Sequence, residues 1–402
     1  VPTASSKSAR GLDWFTFLVA DIQTGFGPFL AIYLTTQKWN QADIGLVLAV
    51  GSLAGLLSQL PGGWLVDAVP SKRAVAMMAV AGIGVSALLI AMAPSFVGIL
   101  LAKLLHVASS SVLGPAIGAI TLGLVGHAAV GPRLGRNARF GSIGNGAAAG
   151  AMGAIGYAIS PQAVFFVTAA LTIPTIIALS RISAREIDPV RADGGLARQS
   201  DGSPIAIGAL LRSRSLITLA LCLFLFHAAN AAMLPLVGTE MTVRAGEWAS
   251  VLIALCIIVP QAIVALIAPA VGRLAVEKGR RPVLLVGFAA LPVRAALLAT
   301  TNDPTIVVAA QVLDGICAAV LGVLVPLSLA DISRGTGRFN LTQGITASAT
   351  GIGAAVSTTV SGYLATHFGA PVAFLSLAIA AIAAFITVLA AMPETAPENE
   401  PN

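Results

Sequence analysis

Residues 63–73 read Gly63-Trp64-Leu65-Val66-Asp67-Ala68-Val69-Pro70-Ser71-Lys72-Arg73, between an apolar run at 43–66 and another at 74–93. Each run approaches the roughly 20 residues that a helix needs to cross about 30 Å of hydrocarbon. One acid, a Pro-Ser turn and two adjacent bases therefore form a tight polar hairpin between two membrane spans. A second stretch, Gly272-Arg273-Leu274-Ala275-Val276-Glu277-Lys278-Gly279-Arg280-Arg281, stands in the same relation to apolar runs at 249–271 and 282–300.

The remaining sequence agrees with a chain dissolved in lipid. Of its 402 residues 57% are hydrophobic and only 10% are charged, against about 25% charged in soluble domains. Mean hydropathy is +0.91. Aromatics are scarce at 5% and glycine is abundant at 41 residues, which suits helices packed through small side chains and not a barrel with aromatic girdles. Cys222, Cys256 and Cys317 lie inside apolar runs with no metal or redox spacing. No metal and no cofactor is expected.

Twelve candidate spans follow: 14–34, 43–66, 74–93, 96–125, 139–159, 162–180, 216–237, 249–271, 282–300, 304–330, 340–364 and 371–392. With the N-terminus inside, the cytoplasmic segments hold 19 of the 23 basic residues, while the outer loops hold only Lys38 and Arg244. That bias orients the set by the positive-inside rule. It also explains a pI near 9.7 without a nucleic-acid partner. Both termini are expected in the cytoplasm, including the acidic tail with Glu394, Glu398 and Glu400. No cleavable signal is expected ahead of the first run, which follows Lys7 and Arg10.

The chain repeats itself at an offset near 208. Phe17-Leu18, Gln23 and Pro28 of the first span match Phe224-Leu225, Asn230 and Pro235 of the seventh. Lys103, His106 and Val112-Leu113-Gly114 of the fourth match Gln311, Asp314 and Val320-Leu321-Gly322 of the tenth. The expected fold is an all-α membrane protein of two pseudo-symmetric six-helix bundles, 1–180 and 216–402, joined by a solvated, mobile cytoplasmic linker at 181–215.

The two polar hairpins resemble the signature loop of the major facilitator superfamily, a Gly-x-Leu-x-Asp pattern followed by a glycine and bases. The first keeps Gly63, Leu65, Asp67, Lys72 and Arg73, with Pro70 in the glycine position. The second keeps Gly272, Leu274, Gly279, Arg280 and Arg281, with Val276 in the acid position and Glu277 one place later. The resemblance implies a secondary transporter with a central cavity, these loops gating its cytoplasmic side. Asp67 is expected to meet basic residues or a helix N-terminus there, holding the outward-open state.

Ionisable residues inside spans are costly, about 2.5–3.5 kcal/mol each on insertion scales, and so mark function. His106, His227 and Asp314 fall near the midplane, and Asp21 lies about 10 Å from the cytoplasmic end, at about 1.5 Å per residue. Lys103 with His106, His227 with Asn230, and Gln311 with Asp314 share helix faces at i, i+3. Together with Gln23 they are the expected substrate or proton pathway, with Lys103 and His106 as the natural partners of Asp21. Arg294, in the ninth span, could pair with Asp314 or meet substrate. The bland alternatives are interhelical hydrogen bonds, snorkelling of Lys103 and loop bases that set topology alone.

No phosphate-cradling Gly-x-x-x-x-Gly-Lys-Ser/Thr loop occurs, so ATP is not the expected energy source. The first expectation is proton-coupled export of a drug-like or toxic compound across a bacterial inner membrane by a functional monomer. Burial favours a protonated carboxyl, and histidine titrates near neutrality. The alternative is uptake or exchange of an organic anion, since Lys103, Arg294 and a charged histidine outweigh Asp21 and Asp314. An intramembrane enzyme is a third class, but no His-Glu-x-x-His or Gly-x-Ser-x-Gly pattern is present.

Overall fold

In lipid every backbone polar group must find an internal partner, so the long apolar runs become helices. The computed structural model describes all residues except 1–3, 25, 27, 196–204, 246–248, 302 and 397–402, so Glu398 and Glu400 lie outside the described residues. The helices are α1 (Ser6–Thr24), α2 (Pro28–Thr36), α3 (Gln41–Ala68), α4 (Lys72–Met92), α5 (Phe96–Ala158) and α6 (Pro161–Ser180). The short α7 (Pro189–Ala192) and α8 (Ile207–Leu210) follow. Then come α9 (Arg214–Asn230), α10 (Met233–Ala245), α11 (Ala249–Lys278), α12 (Arg280–Thr300), α13 (Pro304–Ile332), α14 (Phe339–Phe368) and α15 (Ala370–Ala391). Side-chain caps start many of them: Asn40, Ser71, Ser95, Ser160 and Ser213 each accept an N–H of the first turn.

Among the described residues, nine helices are long and apolar enough to cross a membrane, with α9 and the start of α10 counted together as Arg214–Glu240. One of them, α5, runs for 63 residues but is interrupted at Gly126, with φ 68° and ψ 173°. That left-handed glycine separates the fourth span from the fifth. The remaining two of the twelve expected spans differ for physical reasons. The eleventh is α14, complete at 30 residues but diluted by Ser, Thr, Gln and Asn.

The first span is broken: α1 ends at Thr24 and α2 begins at Pro28, whose missing N–H suits a helix start. The seventh is broken at the matching place, α9 ending at Asn230 and α10 starting at Met233. At both places the chain stops and restarts.

Two compact units result. One comprises residues 1–130, 140–204 and 333–344, the other 131–139, 205–332 and 345–402. They depart from the expected boundaries because two short segments, 131–139 and 333–344, pack apart from their sequence neighbours. Within the first unit α6 lies against α1 and α4; within the second α13 lies against α11 and α12, and α15 against α9 and α12. Contacts repeat between units. The backbone of Phe17 lies where a side chain at Gly144 would go, and that of Phe224 where one at Gly353 would go.

Candidate functional site

Gly63 and Asp67 stand one helical turn apart near the end of α3, and both serve the first turn of α14. A side chain at Gly63 would collide with the Asn340 carbonyl and lie 3.2 Å from the Leu341 Cα, so only glycine lets the two backbones meet. Asp67 then accepts from the Asn340 N–H at 3.0 Å, from Asn340 Nδ2 at 2.8 Å and from the Leu341 N–H at 2.9 Å. A carboxylate is the natural occupant of a helix N-terminus, where free N–H groups and the macrodipole converge.

The bases of the first loop do not face the Asp67 carboxylate. Lys72, its side chain fully buried, donates to the Val66 and Val69 carbonyls at 2.6 and 3.0 Å and pairs with Asp193 at 2.6 Å. It thereby ties off the α3 C-terminus. Arg73 donates to the Ile182 carbonyl beyond α6 at 2.6 Å. Asn340, wholly buried, also reaches Asp193 Oδ1 at 3.3 Å and the Ala192 carbonyl at 3.2 Å. Burial raises the Asp193 pKa, against the opposing pull of Lys72 and Asn340.

Part of the linker is therefore not a solvated tether. Ile187 and Ala192 are buried. The Gly335, Gly337 and Phe339 N–H groups donate to the Gly194, Gly195 and Asp193 carbonyls at 2.8, 2.8 and 3.1 Å. All four glycines have positive φ, between 65° and 91°.

The second loop repeats the bases but not the acid. Arg280 ties off α11 through the Ala275 carbonyl at 2.9 Å and pairs with Asp331 at 2.9 Å. Arg281 donates to the Leu389 carbonyl near the end of α15. Glu277 is exposed and, among the described residues, has no partner, so it does not replace the acid missing at Val276. Gly272 meets the Gly131 backbone, and Gly279 (φ 91°) has Glu394 where a side chain would be. Burial alone would raise the Glu394 pKa, but the Ala396, Arg280, Arg281 and Thr395 amides donate to it and hold it below its ordinary value.

The interior residues gather at the two helix breaks. In the first unit Gln23 accepts from Ser110 Oγ at 3.0 Å, and Phe26 stacks on His106 with centroids 3.6 Å apart. These contacts set the first span against the fourth. His106 is 7% exposed and, among the described residues, its buried Nδ1 has no partner. Lys103 lays its methylenes over Gly51, where a Cβ would fall 2.6 Å from Cε. Asp21 is also 7% exposed but pairs with neither Lys103 nor His106. Among the described residues its carboxylate has no hydrogen-bond or ion-pair partner, because the contact between the spans is taken up by Gln23 and Phe26.

In the second unit Arg294 reaches inward from α12 and is 1% exposed. It donates to Asn230 at the α9 terminus and to Asp314 of α13, each at 2.6 Å, and to Gln311 at 2.8 Å. Gln311 is wholly buried and also donates to the Val307 carbonyl at 3.0 Å, so it positions Arg294 and does not line an open face. Asp314 keeps 24% of its side chain exposed. His227 turns Nδ1 back to the Leu223 carbonyl at 3.0 Å, which requires a proton on that nitrogen.

A sequence profile described as Major Facilitator Superfamily matches residues 14–291 and 219–402. An uncharacterized MFS-type transporter of Mycobacterium tuberculosis, found in two strains, is 40% identical over 401 residues, covering 97% of this chain and 94% of the relative. This chain belongs to the major facilitator superfamily. It is an integral membrane transporter.

Two solved structures share the superfamily fold at low identity. The human organic anion transporter MFSD10 (TETRAN) gives a TM-score of 0.71 at 15% identity, covering 95% of this chain and 99% of its own. The Escherichia coli fucose:proton symporter FucP gives 0.70 at 17%, covering 95% and 97%. Partners such as Asn340 and Asp193 had no motif in the sequence. The only hint was the Asp193-Gly194-Gly195 run, because consecutive glycines invite positive φ.

Proposed function

We propose that this transporter exports a drug-like or toxic compound across a bacterial inner membrane in exchange for protons, with both termini cytoplasmic. The observation that carries the reading is the contrast between two interior carboxylates. Asp314 has a guanidinium counter-charge, whereas Asp21 has none among the described residues and sits one turn before the break in the first span. Broken helices at matching places in two halves are where transporters of this kind bind solute and coupling ion. A carboxylate without a fixed counter-charge exchanges its proton with whichever side the cavity faces. Gln23 and Ser110, part-buried beside the break, offer neutral polar contacts to an amphipathic solute, and the buried Phe26–His106 stack backs them. Within the first unit, the clasp of Asp67 on the first turn of α14 is the gating contact that a change in proton and solute occupancy releases.

The test is proteoliposome transport with an imposed proton gradient and a panel of lipophilic dyes and drugs. Asp21→Asn should lose accumulation against a gradient and retain downhill counterflow. Accumulation by that variant under a proton gradient alone overturns the reading and moves coupling to His106 or Asp314.

A second reading, uptake or exchange of an organic anion, is favoured by one observation: Lys103 has no ion-pair partner among the described residues. Arg294, by contrast, already gives its two terminal nitrogens to three acceptors. Anion flux that disappears in Lys103→Gln, with no flux of the dyes, would select this reading.

A further inference from the structure

We infer that the groove between the start of α1 and the end of α6 binds the headgroup of an anionic phospholipid from the cytoplasmic leaflet. The inference rests on the proposed cytoplasmic placement of the N-terminus and not on what the transporter carries. The groove is a cavity of about 440 Å³ lined by a helical stripe of each helix: Lys7, Arg10, Trp14 and Leu18 on α1, and Ile177 with Arg181 near the end of α6. The two helices run antiparallel along it, so its chemistry is graded. Lys7, Arg10 and Arg181 collect at one end, Trp14 and Ile177 stand between, and Leu18 with Pro174 line the other.

That order matches a phospholipid from phosphate to acyl chain. Gly11 brings the cations together: a Cβ there would lie 3.1 Å from the Arg181 Cβ and 3.2 Å from the Ala178 carbonyl. No acid lines the groove, and none of the three cations is ion-paired among the described residues. Arg10 gives only its Nε to the Ser6 carbonyl at 3.2 Å. The nearby acid Glu186 is turned to the Ser5 N–H at 2.9 Å. Trp14 is 55% exposed and Ile177 51% exposed, which leaves the apolar part open to lipid. An exposed tryptophan at this depth is an interfacial anchor, and basic pockets between spans on the cytoplasmic side select anionic headgroups.

The experiment uses the full chain purified in neutral detergent, with added phosphatidylglycerol, phosphatidylcholine or inorganic phosphate. Bound lipid is counted by native mass spectrometry, and thermal stability is followed in parallel. Each cation near a membrane surface gives about a fivefold gain for anionic lipid. Selectivity for phosphatidylglycerol over phosphatidylcholine should therefore fall at least tenfold in Lys7→Gln/Arg10→Gln/Arg181→Gln. It should be kept in a control with Arg185→Gln/Arg212→Gln/Arg214→Gln. Ile177→Trp, which fills the groove and keeps every charge, should also lose bound lipid, so the inference stays testable if the triple variant inserts poorly. Equal loss in the control triple, equal binding of phosphatidylcholine, or full stabilisation by inorganic phosphate would each overturn it.

Discussion

Asp67 and Asn340 are 273 positions apart, yet the carboxylate of one receives both the main-chain and the side-chain N–H of the other, at 3.0 and 2.8 Å. With the Leu341 N–H at 2.9 Å, the acid closes the first turn of α14. This contact depends on charge as well as on hydrogen bonding, since the donors sit at the positive end of a helix dipole.

Asp67→Asn keeps one acceptor oxygen and loses the charge. Hydrogen bonds to a charged group contribute about 1.5–3 kcal/mol, so the clasp should weaken by about 2 kcal/mol. A cysteine placed at the wholly buried Ala192 should then react faster with a cytoplasmic thiol reagent. The three native cysteines are buried, so background labelling is low. Unchanged labelling would leave Asp67 with a structural role only.

The Lys72–Asp193 pair should behave as one unit. Asp193→Ala leaves a fully buried ammonium with carbonyl partners alone, at a cost of about 3 kcal/mol. The pair Lys72→Met/Asp193→Leu should recover most of that loss. Thermal unfolding of the parent, Lys72→Met, Asp193→Leu and the double variant closes a double-mutant cycle and should give a coupling of at least about 1 kcal/mol. Additive effects would mean that the two side chains do not interact.

Arg294 should not tolerate lysine. Its guanidinium serves three acceptors on two other helices in a fixed fork, and one ammonium cannot reproduce that geometry. Arg294→Lys should lower the melting temperature and transport together, and Arg294→Gln, which strands Asp314, should cost about 3–5 kcal/mol. A lysine variant with wild-type stability and flux would rule out the fork as the reason for arginine.

Glu394 supplies a pH dependence of definite sign. Its folded pKa lies below the ordinary 4.5, so its contribution is fully present above that value. It is lost as pH falls through the folded pKa. Glu394→Gln should therefore be less stable than the parent at neutral pH, and the difference should shrink below pH 4.5. A stability gap that stays constant down to pH 3 would contradict the assignment.

The loops around Asp67 and Arg280 were legible because they interrupt apolar runs, whereas the helix breaks ahead of Pro28 and Met233 were not, because they fall inside runs that read as continuous spans. Asn340 was not legible: the groups that bind Asp67 are mostly backbone, which every residue owns, and they lie far away in the chain. Asp193 was hidden in a polar linker whose composition resembles a free tether. Glu277 misled because adjacency in sequence suggested a substitute for the missing acid. Its side chain leaves the helix about 100° away from that position, off the side where Val276 meets Gly131. Asp21 was found by its rarity, but its lack of a partner depends on which side chains occupy the contact between the first and fourth spans.

Lys72 and Arg280 occupy matching places in the repeat and tie off the preceding helix in the same way, but their acids come from different parts of the chain. Asp193 follows the sixth span and Asp331 ends the tenth. The cation's post is set by the helix end beside it, while the anion comes from whichever segment lies within reach. The two halves share the lock plate, and each fits its own bolt. A mutation in one bolt adjusts one half of the machine and leaves the other as it was.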